Sequence, residues 1–198
     1  MVPEKTCNPK TVVGEVALRR DLGDGELFDP SSLHGIGKAL ERIPQAVRKG
    51  EHIGIFGDYD CDGITSAAQL VRFFRRSGVE PHIRLPHRIE DGYGLKPKHI
   101  DEFVTSGTSL LLAVDTGITA YEAVDSARAR RMDVIIVDHH EIRGELPHAI
   151  AIIHPHLATP TTLTPPPCAA GLVSLLLAAL EGNTQPEQGE DRVLAAIG

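Results

Sequence analysis

The sequence predicts an α/β fold in which a mostly parallel sheet is flanked by helices on both faces. Short apolar runs, such as Ser109–Val114 and Val134–Val137, alternate with amphipathic segments after residue 50. Strands as apolar as these are typical of parallel sheets that are covered on both faces. The chain has 198 residues, of which 41% are hydrophobic, and this is enough for one sizeable core.

The first part of the chain divides at residue 32. Residues 1–32 are rich in Gly, Pro and Asp and show no sustained period, so we expect an extended lead-in before a core at residues 33–198. Apolar residues at helical spacing predict the first helix over Leu33–Lys49. We expect this helix to have a cap at Ser31 or Ser32, a kink at Pro44 and an end at Gly50.

The elements that follow the first helix are predicted from the same alternation of apolar runs and amphipathic segments. A Pro-rich stretch near the carboxyl end cannot continue either kind of element. In chain order the predictions are strand His52–Gly57, helix Ile64–Ser77, strand His82–Leu85, helix Pro97–Ser106, strand Ser109–Val114, helix Thr119–Arg131, strand Val134–Val137, strand Ala149–Ile153, connector Pro160–Pro167, helix Cys168–Leu180 and a last amphipathic segment Gln188–Ile197.

Composition narrows the class of protein. The longest apolar run, Cys168–Leu180, is shorter than the ~20 residues that span a bilayer, and no signal segment is evident, so we expect a cytoplasmic protein without a membrane partner. The three cysteines, Cys7, Cys61 and Cys168, lack any CxxC spacing, which disfavours a disulfide framework and a zinc ribbon. The net charge of -7 disfavours a broad basic surface for nucleic acid, but a cluster of acidic metal ligands would also carry such charge.

Acidic residues follow three of the predicted strands at the point where each strand ends. Ligands of parallel sheets bind at this edge, and carboxylates crowded there would repel one another without cations between them. Oxygen and imidazole ligands without a thiolate favour Mn²⁺ or Mg²⁺, and two such ions would support hydrolysis of a phosphoester. The three clusters are Asp58, Asp60 and Asp62; Asp115; and Asp138, His139 and His140.

Other interpretations of each cluster stay open at this point. The DxDxDG segment could be a calcium loop, although Gln69 stands where such a loop needs Glu, or an aspartyl nucleophile motif of haloacid-dehalogenase-type phosphatases. Asp115 alone could cap a turn. Because neighbouring side chains point in different directions, at most one of His139 and His140 is expected to be a ligand.

Several segments resemble the signature motifs of DHH phosphoesterases. The motifs are GDYDCDGITSA at 57–67, AVDTGI at 113–118 and VDHHEIRGELP at 137–147. Further segments are similar to the RecJ-like single-strand exonuclease branch of that family: PHRIEDGYGL at 86–95, IIHPH at 152–156 and CAAGLVSLL at 168–176. The resemblance runs from about Asp29 to the end of the chain, and its motifs occur in the family's order.

The resemblance implies a role for each site residue. Asp60, Asp62, Asp115 and His139 would ligate Mn²⁺ or Mg²⁺, and Asp58 and Asp138 would support them or complete the coordination. As catalytic and substrate-binding groups, His140 would face the scissile phosphate and Arg88 would grip a phosphate. A solvated loop charge is the alternative for Arg88.

The chain departs from the family pattern in two places. His154 stands where RecJ-like proteins carry Asn. The family also places another ligand Asp after a helix like Arg192–Gly198, at the point where this chain ends. We therefore expect a DHH phosphoesterase core that is incomplete at its carboxyl end and lacks the family's second, strand-binding domain.

Three functions are consistent with these residues. The resemblance implies the core of a 5′ to 3′ exonuclease on single-stranded DNA, with DNA-repair proteins as partners of the complete protein. Alternatively, the same chemistry could act on small nucleotides or pyrophosphate, or an inactive DHH fold could serve as a binding module.

Overall fold

The computed structural model describes residues 33–157 and 166–182. These residues form five helices and five strands, named here in chain order. The elements are α1 (Ile36–Lys49), β1 (Ile53–Gly57), α2 (Cys61–Arg76), β2 (His82–Arg84), α3 (Pro97–Thr105), β3 (Leu110–Val114), α4 (Tyr121–Ala129), β4 (Asp133–Val137), β5 (Ala151–Ile153) and α5 (Ala169–Leu180), with a short 3-10 helix at Pro155–Leu157.

The five strands form one sheet in the order β2-β1-β3-β4-β5, and every strand pair is parallel. Ile53 aligns with Leu110, and Leu110 aligns with Asp133, so the three central strands end level with one another. The order of the strands reverses between β1 and β3, and in open parallel sheets the crevice for ligands opens at such a point.

Two apolar cores cover the two faces of the sheet. Side chains of α1, α2 and α5 pack on one face, and side chains of α3 and α4 pack on the other. The central strands are buried along their whole length except for the first residue of β4. This explains their apolar composition, because each side chain meets a helix whichever way it points. The predicted α/β fold with a parallel sheet between helices is confirmed.

The boundary of one helix differs from the prediction in a way that matters for the site. Helix α2 begins at Cys61, three residues before the predicted start at Ile64, because Asp60 caps it and Gly63 lies in its first turn. The DxDxDG segment is therefore a strand end followed by a helix start, and Asp62 lies on the helix.

The first helix corrects the predicted start at Leu33 and the predicted cap. Its N-cap is Gly35 with a left-handed backbone, so neither Ser31 nor Ser32 caps it. A Cβ atom on Gly35 would lie 2.4 Å from the carbonyl oxygen of Ile152, so this position has no room for a side chain. Pro44 lies inside a continuous helix, which ends at Gly50 as predicted.

Several predicted segments lie outside the described residues. These are the lead-in at 1–32, most of the connector Pro160–Pro167 and the amphipathic segment Gln188–Ile197. Among the helices of residues 33–157 and 166–182, none combines the length and the apolar character needed to cross a bilayer.

Candidate metal centre

The predicted site residues from three strands meet at one edge of the sheet. Asp58 follows β1, Asp115 follows β3 and Asp138 follows β4. All three carboxylates are almost fully buried, with exposed fractions of 1–3%. The parallel register brings them together, because the carboxyl ends of parallel strands lie at the same edge.

The turn after β1 is tightened by Asp60 and Gly63. Asp60 is the N-cap of α2, and its Oδ1 accepts a hydrogen bond of 3.0 Å from the backbone N–H of Gly63. A Cβ atom on Gly63 would lie 2.5 Å from the backbone of Asp58. Glycine is therefore required here, because only without a side chain can the helix begin so close to the strand end.

Asp62 joins the first turn of α2 to the start of α5. Its two oxygens accept hydrogen bonds from the backbone N–H groups of Ala169 at 2.8 Å and Ala170 at 2.7 Å. These amides have no partner within their own helix, so a carboxylate stabilises them directly. Asp62 Oδ2 also lies 3.4 Å from His139 Nε2, which places the carboxylate at the rim of the site as well as at the helix end.

Asp115 occupies the centre of the cluster in an uncommon backbone conformation. Its φ is 58°, a left-handed value that non-glycine residues seldom adopt and that occurs often at functional sites. Neither carboxylate oxygen has a hydrogen-bond partner among the described residues. Burial raises the pKa of Asp115 to about 7; contact with His139 opposes the shift, and Asp62 and Asp60 add to it.

Asp138 is a well-satisfied carboxylate, unlike Asp115. Its Oδ2 accepts from the backbone N–H of Ile118 at 3.0 Å, and its Oδ1 accepts from the backbone N–H groups of His139 and His140. Oδ1 also lies 2.7 Å from His140 Nδ1. Burial alone would raise the pKa of Asp138, but these hydrogen bonds lower it below its usual value. Asp138 thus holds the turns after β3 and β4 together.

Both histidines of the DHH segment face the carboxylate of Asp115. Its Oδ1 lies 3.3 Å from His139 Nε2 and 3.9 Å from His140 Nδ1. The turn after Asp138 brings the two ring centroids to 4.8 Å, so both imidazoles lie at the site, and the expectation that at most one of them is a metal ligand stays a prediction. The nearby carboxylate of Asp115 raises the pKa of His139, and the hydrogen bond with Asp138 raises that of His140 to about 8.

The cluster contains two sets of ligand atoms that share Asp115. One set is Asp115, His139 and His140, and the other is Asp58, Asp60 and Asp115; within each set the atoms lie no more than 4.8 Å apart. Oxygen and imidazole groups without a thiolate fit a hard or borderline divalent cation. The unpartnered oxygens of Asp115 and the buried Oδ1 of Asp58 fit it too, because a cation would satisfy them.

The loop between β2 and α3 brings two further side chains to this edge. The Arg88 guanidinium lies 5.6 Å from the centre of the Tyr59 ring, and Tyr59 stands between Asp58 and Asp60 in the chain. The Tyr93 hydroxyl lies 3.3 Å from His140 Nε2. Tyr93 was not predicted as a site residue; the GYG segment that contains it was the available signal.

The chain matches a family model over the region that contains these site residues. Residues 52–197 match the model of the DHH family, N-terminal domain. The chain belongs to the DHH family. The resemblance to DHH phosphoesterases drawn from the motifs is thereby confirmed.

Individual DHH proteins of known sequence are similar to the chain over most of its length. It is 36% identical over 175 residues to the single-stranded-DNA-specific exonuclease RecJ of Bacillus subtilis, a match of 88% of this chain and 22% of that protein. For RecJ of Thermus thermophilus the identity is 38% over 167 residues, 84% of this chain and 24% of the relative. The chain thus spans about a quarter or less of the length of these relatives.

A solved DHH structure has the same fold. The crystal structure of exonuclease RecJ bound to manganese superimposes with a TM-score of 0.71 and 35% identity, and the match covers 80% of this chain and 39% of that one.

The departure at His154 from the RecJ-like DHH pattern has a structural explanation. The His154 ring is fully buried, its Nε2 lies 2.8 Å from the carbonyl oxygen of His140, and its Nδ1 accepts from the backbone N–H of His156. Burial lowers the pKa of His154, so the ring is neutral and Nε2 carries the donated proton. The imidazole thereby fixes the backbone that carries His140.

Proposed function

We propose that this chain is the metal-binding hydrolytic unit of an exonuclease that cleaves single-stranded DNA from the 5′ end. The observation that carries the proposal is Asp115, whose two buried oxygens lack hydrogen-bond partners among the described residues while both imidazoles of the DHH segment face it. A buried carboxylate is costly unless a cation compensates it. The RecJ relatives, named as single-stranded-DNA-specific exonucleases, support the choice of substrate.

The proposed ligands of Mn²⁺ or Mg²⁺ are Asp60, Asp62, Asp115 and His139. The manganese in the related RecJ crystal structure supports Mn²⁺ as the first ion to test. Asp58 shares a set of ligand atoms with Asp60 and Asp115, so it is proposed to support or complete the coordination. A pair of such ions, when bound, would activate a water molecule and neutralise charge on the attacking and leaving oxygens of a phosphodiester.

The protein's own groups would hold the substrate phosphate in place. His140 is held by Asp138 through contacts to its ring and its backbone N–H, and its raised pKa of about 8 keeps the imidazolium populated at neutral pH. A fixed positive charge of this kind stabilises the negative charge that develops on a phosphoryl group. Arg88, exposed on the loop above Tyr59, is proposed to bind a neighbouring phosphate.

Single-stranded DNA and DNA-repair proteins are proposed as partners of the complete protein, with the cytoplasm as its location. The resemblance to RecJ carries these proposals.

The proposal is tested with the protein at the full length of its natural product, assayed on single strands labelled at either end in the presence of Mn²⁺. We expect release of nucleotides from the 5′ end and loss of that release in Asp60→Asn. Asp101→Asn is the matched control, because Asp101 is an exposed carboxylate paired with Arg130 and lies outside the cluster.

Each alternative function predicts a different experimental result. Hydrolysis of dinucleotides or pyrophosphate with long strands left intact would replace the substrate but keep the chemistry. Calorimetry that detects no Mn²⁺ binding would reject the enzyme and favour a binding module.

A further inference from the structure

A buried carboxylate outside the metal cluster organises the loop between β2 and α3. Asp91 is 9% exposed, and its Oδ2 accepts hydrogen bonds from Arg84 Nη2 at 2.9 Å and from the backbone N–H of His87 at 2.7 Å. Its Oδ1 accepts from Lys98 Nζ at 2.6 Å. One side chain therefore joins the end of β2, the loop itself and the first turn of α3.

The main chain of Asp91 also makes hydrogen bonds that hold the loop. Its carbonyl oxygen accepts a hydrogen bond from Lys96 Nζ, and its N–H donates to the carbonyl oxygen of His87 at 2.9 Å. The buried His99 places its Nε2 at 3.7 Å from Asp91 Oδ1. Hydrogen bonds from Lys98 and the His87 amide hold the pKa of Asp91 well below its usual range, so the carboxylate stays ionised.

Apolar burial contributes little to the order of this loop. Between the buried Pro86 and Leu95, Asp91 is the single buried residue, and Ile89 is 87% exposed. A loop with so few apolar contacts opens easily unless polar contacts hold it. The hydrogen bonds to Asp91 connect the exposed part of the loop to β2 and α3.

The residues that the loop brings to the site lie on either side of Asp91. Arg88 precedes it and lies over the Tyr59 ring. Tyr93 follows it and places its hydroxyl 3.3 Å from His140 Nε2. A displacement of Asp91 would therefore move both side chains away from the metal cluster without changing any proposed metal ligand.

We infer that Asp91 is a positioning residue, which fixes the loop so that Arg88 and Tyr93 line the path of the nucleic acid strand to the metal centre. The inference rests on the proposed function, because it assigns the loop to that same substrate. Loss of the carboxylate would also leave Arg84 and Lys98 as neighbouring cations without their shared acceptor, and their repulsion would open the loop.

The kinetic test compares Asp91→Ala and Asp91→Glu with the matched control Asp101→Ala in the full-length protein. For Asp91→Ala we expect KM for single-stranded DNA to rise roughly tenfold, while kcat and the Kd for Mn²⁺ stay within about twofold, because a loss of substrate positioning leaves the metal centre intact. Asp91→Glu should restore part of the KM. A KM equal to that of Asp101→Ala would overturn the inference, as would a parallel loss of Mn²⁺ affinity.

A double-mutant cycle tests whether Asp91 affects KM through the position of Tyr93. If Asp91 acts through the loop, Tyr93→Ala combined with Asp91→Ala should raise KM by less than the product of the two single effects, because both remove the same contact. Independent, multiplicative effects of the two substitutions would contradict the inference.

Hydrogen exchange separates this inference from the proposed function. In Asp91→Ala the amides of residues 87–95 should exchange at least about tenfold faster than in Asp101→Ala, and those of His139 and His140 should be unchanged. Unchanged exchange in the loop would refute the role of Asp91 even if the wild type cleaves DNA. A wild type that does not cleave DNA would refute the nuclease proposal, and faster loop exchange would still support Asp91 as the residue that holds Arg88 and Tyr93 in place.

Discussion

Carboxylates at the two ends of the sheet differ in whether they have hydrogen-bond partners. At the amino ends of the central strands, Arg42 donates to Asp133 Oδ2 at 2.6 Å and to Glu51 Oε2 at 2.5 Å, and Ser109 donates to Glu51 at 2.7 Å. At the carboxyl ends, Asp115 is more deeply buried than either of those acids, and its oxygens have no hydrogen-bond partner among the described residues.

The difference separates carboxylates that stabilise the fold from carboxylates that are kept for a ligand. A buried acid with its own cation and donors contributes to stability, whereas a buried acid that accepts no hydrogen bond destabilises the chain until something binds it. Asp62 and Asp138 lie between these extremes, because backbone amides satisfy them while they border the cluster. Removing groups at each end should therefore change different properties of the protein.

The largest effect is expected for Asp115→Asn. The substitution removes the charge shared by both sets of ligand atoms, so the affinity for Mn²⁺ should fall more than ~100-fold, beyond the 10–100-fold typical of residues behind the ligands. Titration calorimetry with Mn²⁺ measures the change, with Asp101→Asn as control. An affinity within about threefold of the wild type would remove Asp115 from the centre of the site.

At the amino end of the sheet, Arg42→Met is expected to lower stability and leave Mn²⁺ affinity unchanged. Loss of the guanidinium leaves the partly buried Glu51 without its cation, and the free energy of unfolding should fall by about 2 kcal/mol, less than for a fully buried pair because Asp133 is partly exposed. Denaturant unfolding measures the loss. Mn²⁺ affinity should not change, and a large change would mean that the two ends are coupled.

A change of pH is expected to have an intermediate effect on the affinity for Mn²⁺. Burial raises the pKa of Asp115 to about 7, and contact with Asp115 raises that of His139, so Mn²⁺ must displace protons below neutral pH. Affinity should rise about tenfold per pH unit for each displaced proton between pH 6 and 7 and level off above pH 8. Calorimetry in buffers of different ionisation enthalpy counts the protons; a pH-independent affinity would contradict the assignment.

The same shift predicts how the metal-free protein responds to pH. Because the pKa of Asp115 is higher in the folded chain than in the unfolded one, the folded state binds the proton more tightly. The stability contributed by this residue is therefore present below about pH 4 and is lost as pH rises towards 7. Asp115→Asn should abolish that part of the pH dependence, which thermal unfolding without metal can measure.

The smallest effect on stability is expected for Asp62→Ala, where the carboxylate accepts hydrogen bonds from the start of α5. Loss of the acceptor for Ala169 and Ala170 should lower the free energy of unfolding by about 1 kcal/mol. Exchange of those two amides should become faster. Asp62→Asn should retain part of the stability, and an unchanged stability in both variants would mean that water replaces the carboxylate at the start of α5.

Much of the fold could be predicted because its signals are local. Apolar runs gave the positions of all five strands, and the spacing of apolar residues gave the five helices, since burial on two faces selects such patterns. The ends of elements were less predictable. The start of α2 at Cys61 depends on the capping contact of Asp60 and on the close approach of Gly63 to Asp58, and these are contacts between segments that spacing cannot specify.

The site residues show the same difference between local patterns, which could be predicted, and contacts between segments, which could not. The order of strands and acidic clusters predicted that the three clusters after β1, β3 and β4 would meet, since parallel strands end at one edge. The links from Asp62 to α5, from His154 to the His140 carbonyl and from Tyr93 to the His140 ring join residues far apart in the chain. Sequence motifs contain Asp62, Tyr93 and His154, but no local pattern specifies which distant residues they contact.

By itself the sequence determined which chemical groups are available and at which edge of the sheet they lie, because strand periodicity and the residues after each strand are properties of the chain. Only the tertiary structure decided which carboxylates are satisfied by amides or cations and which are left for a ligand. That distinction depends on distances of about 3 Å between separate elements, and the packing of helices against the sheet sets those distances.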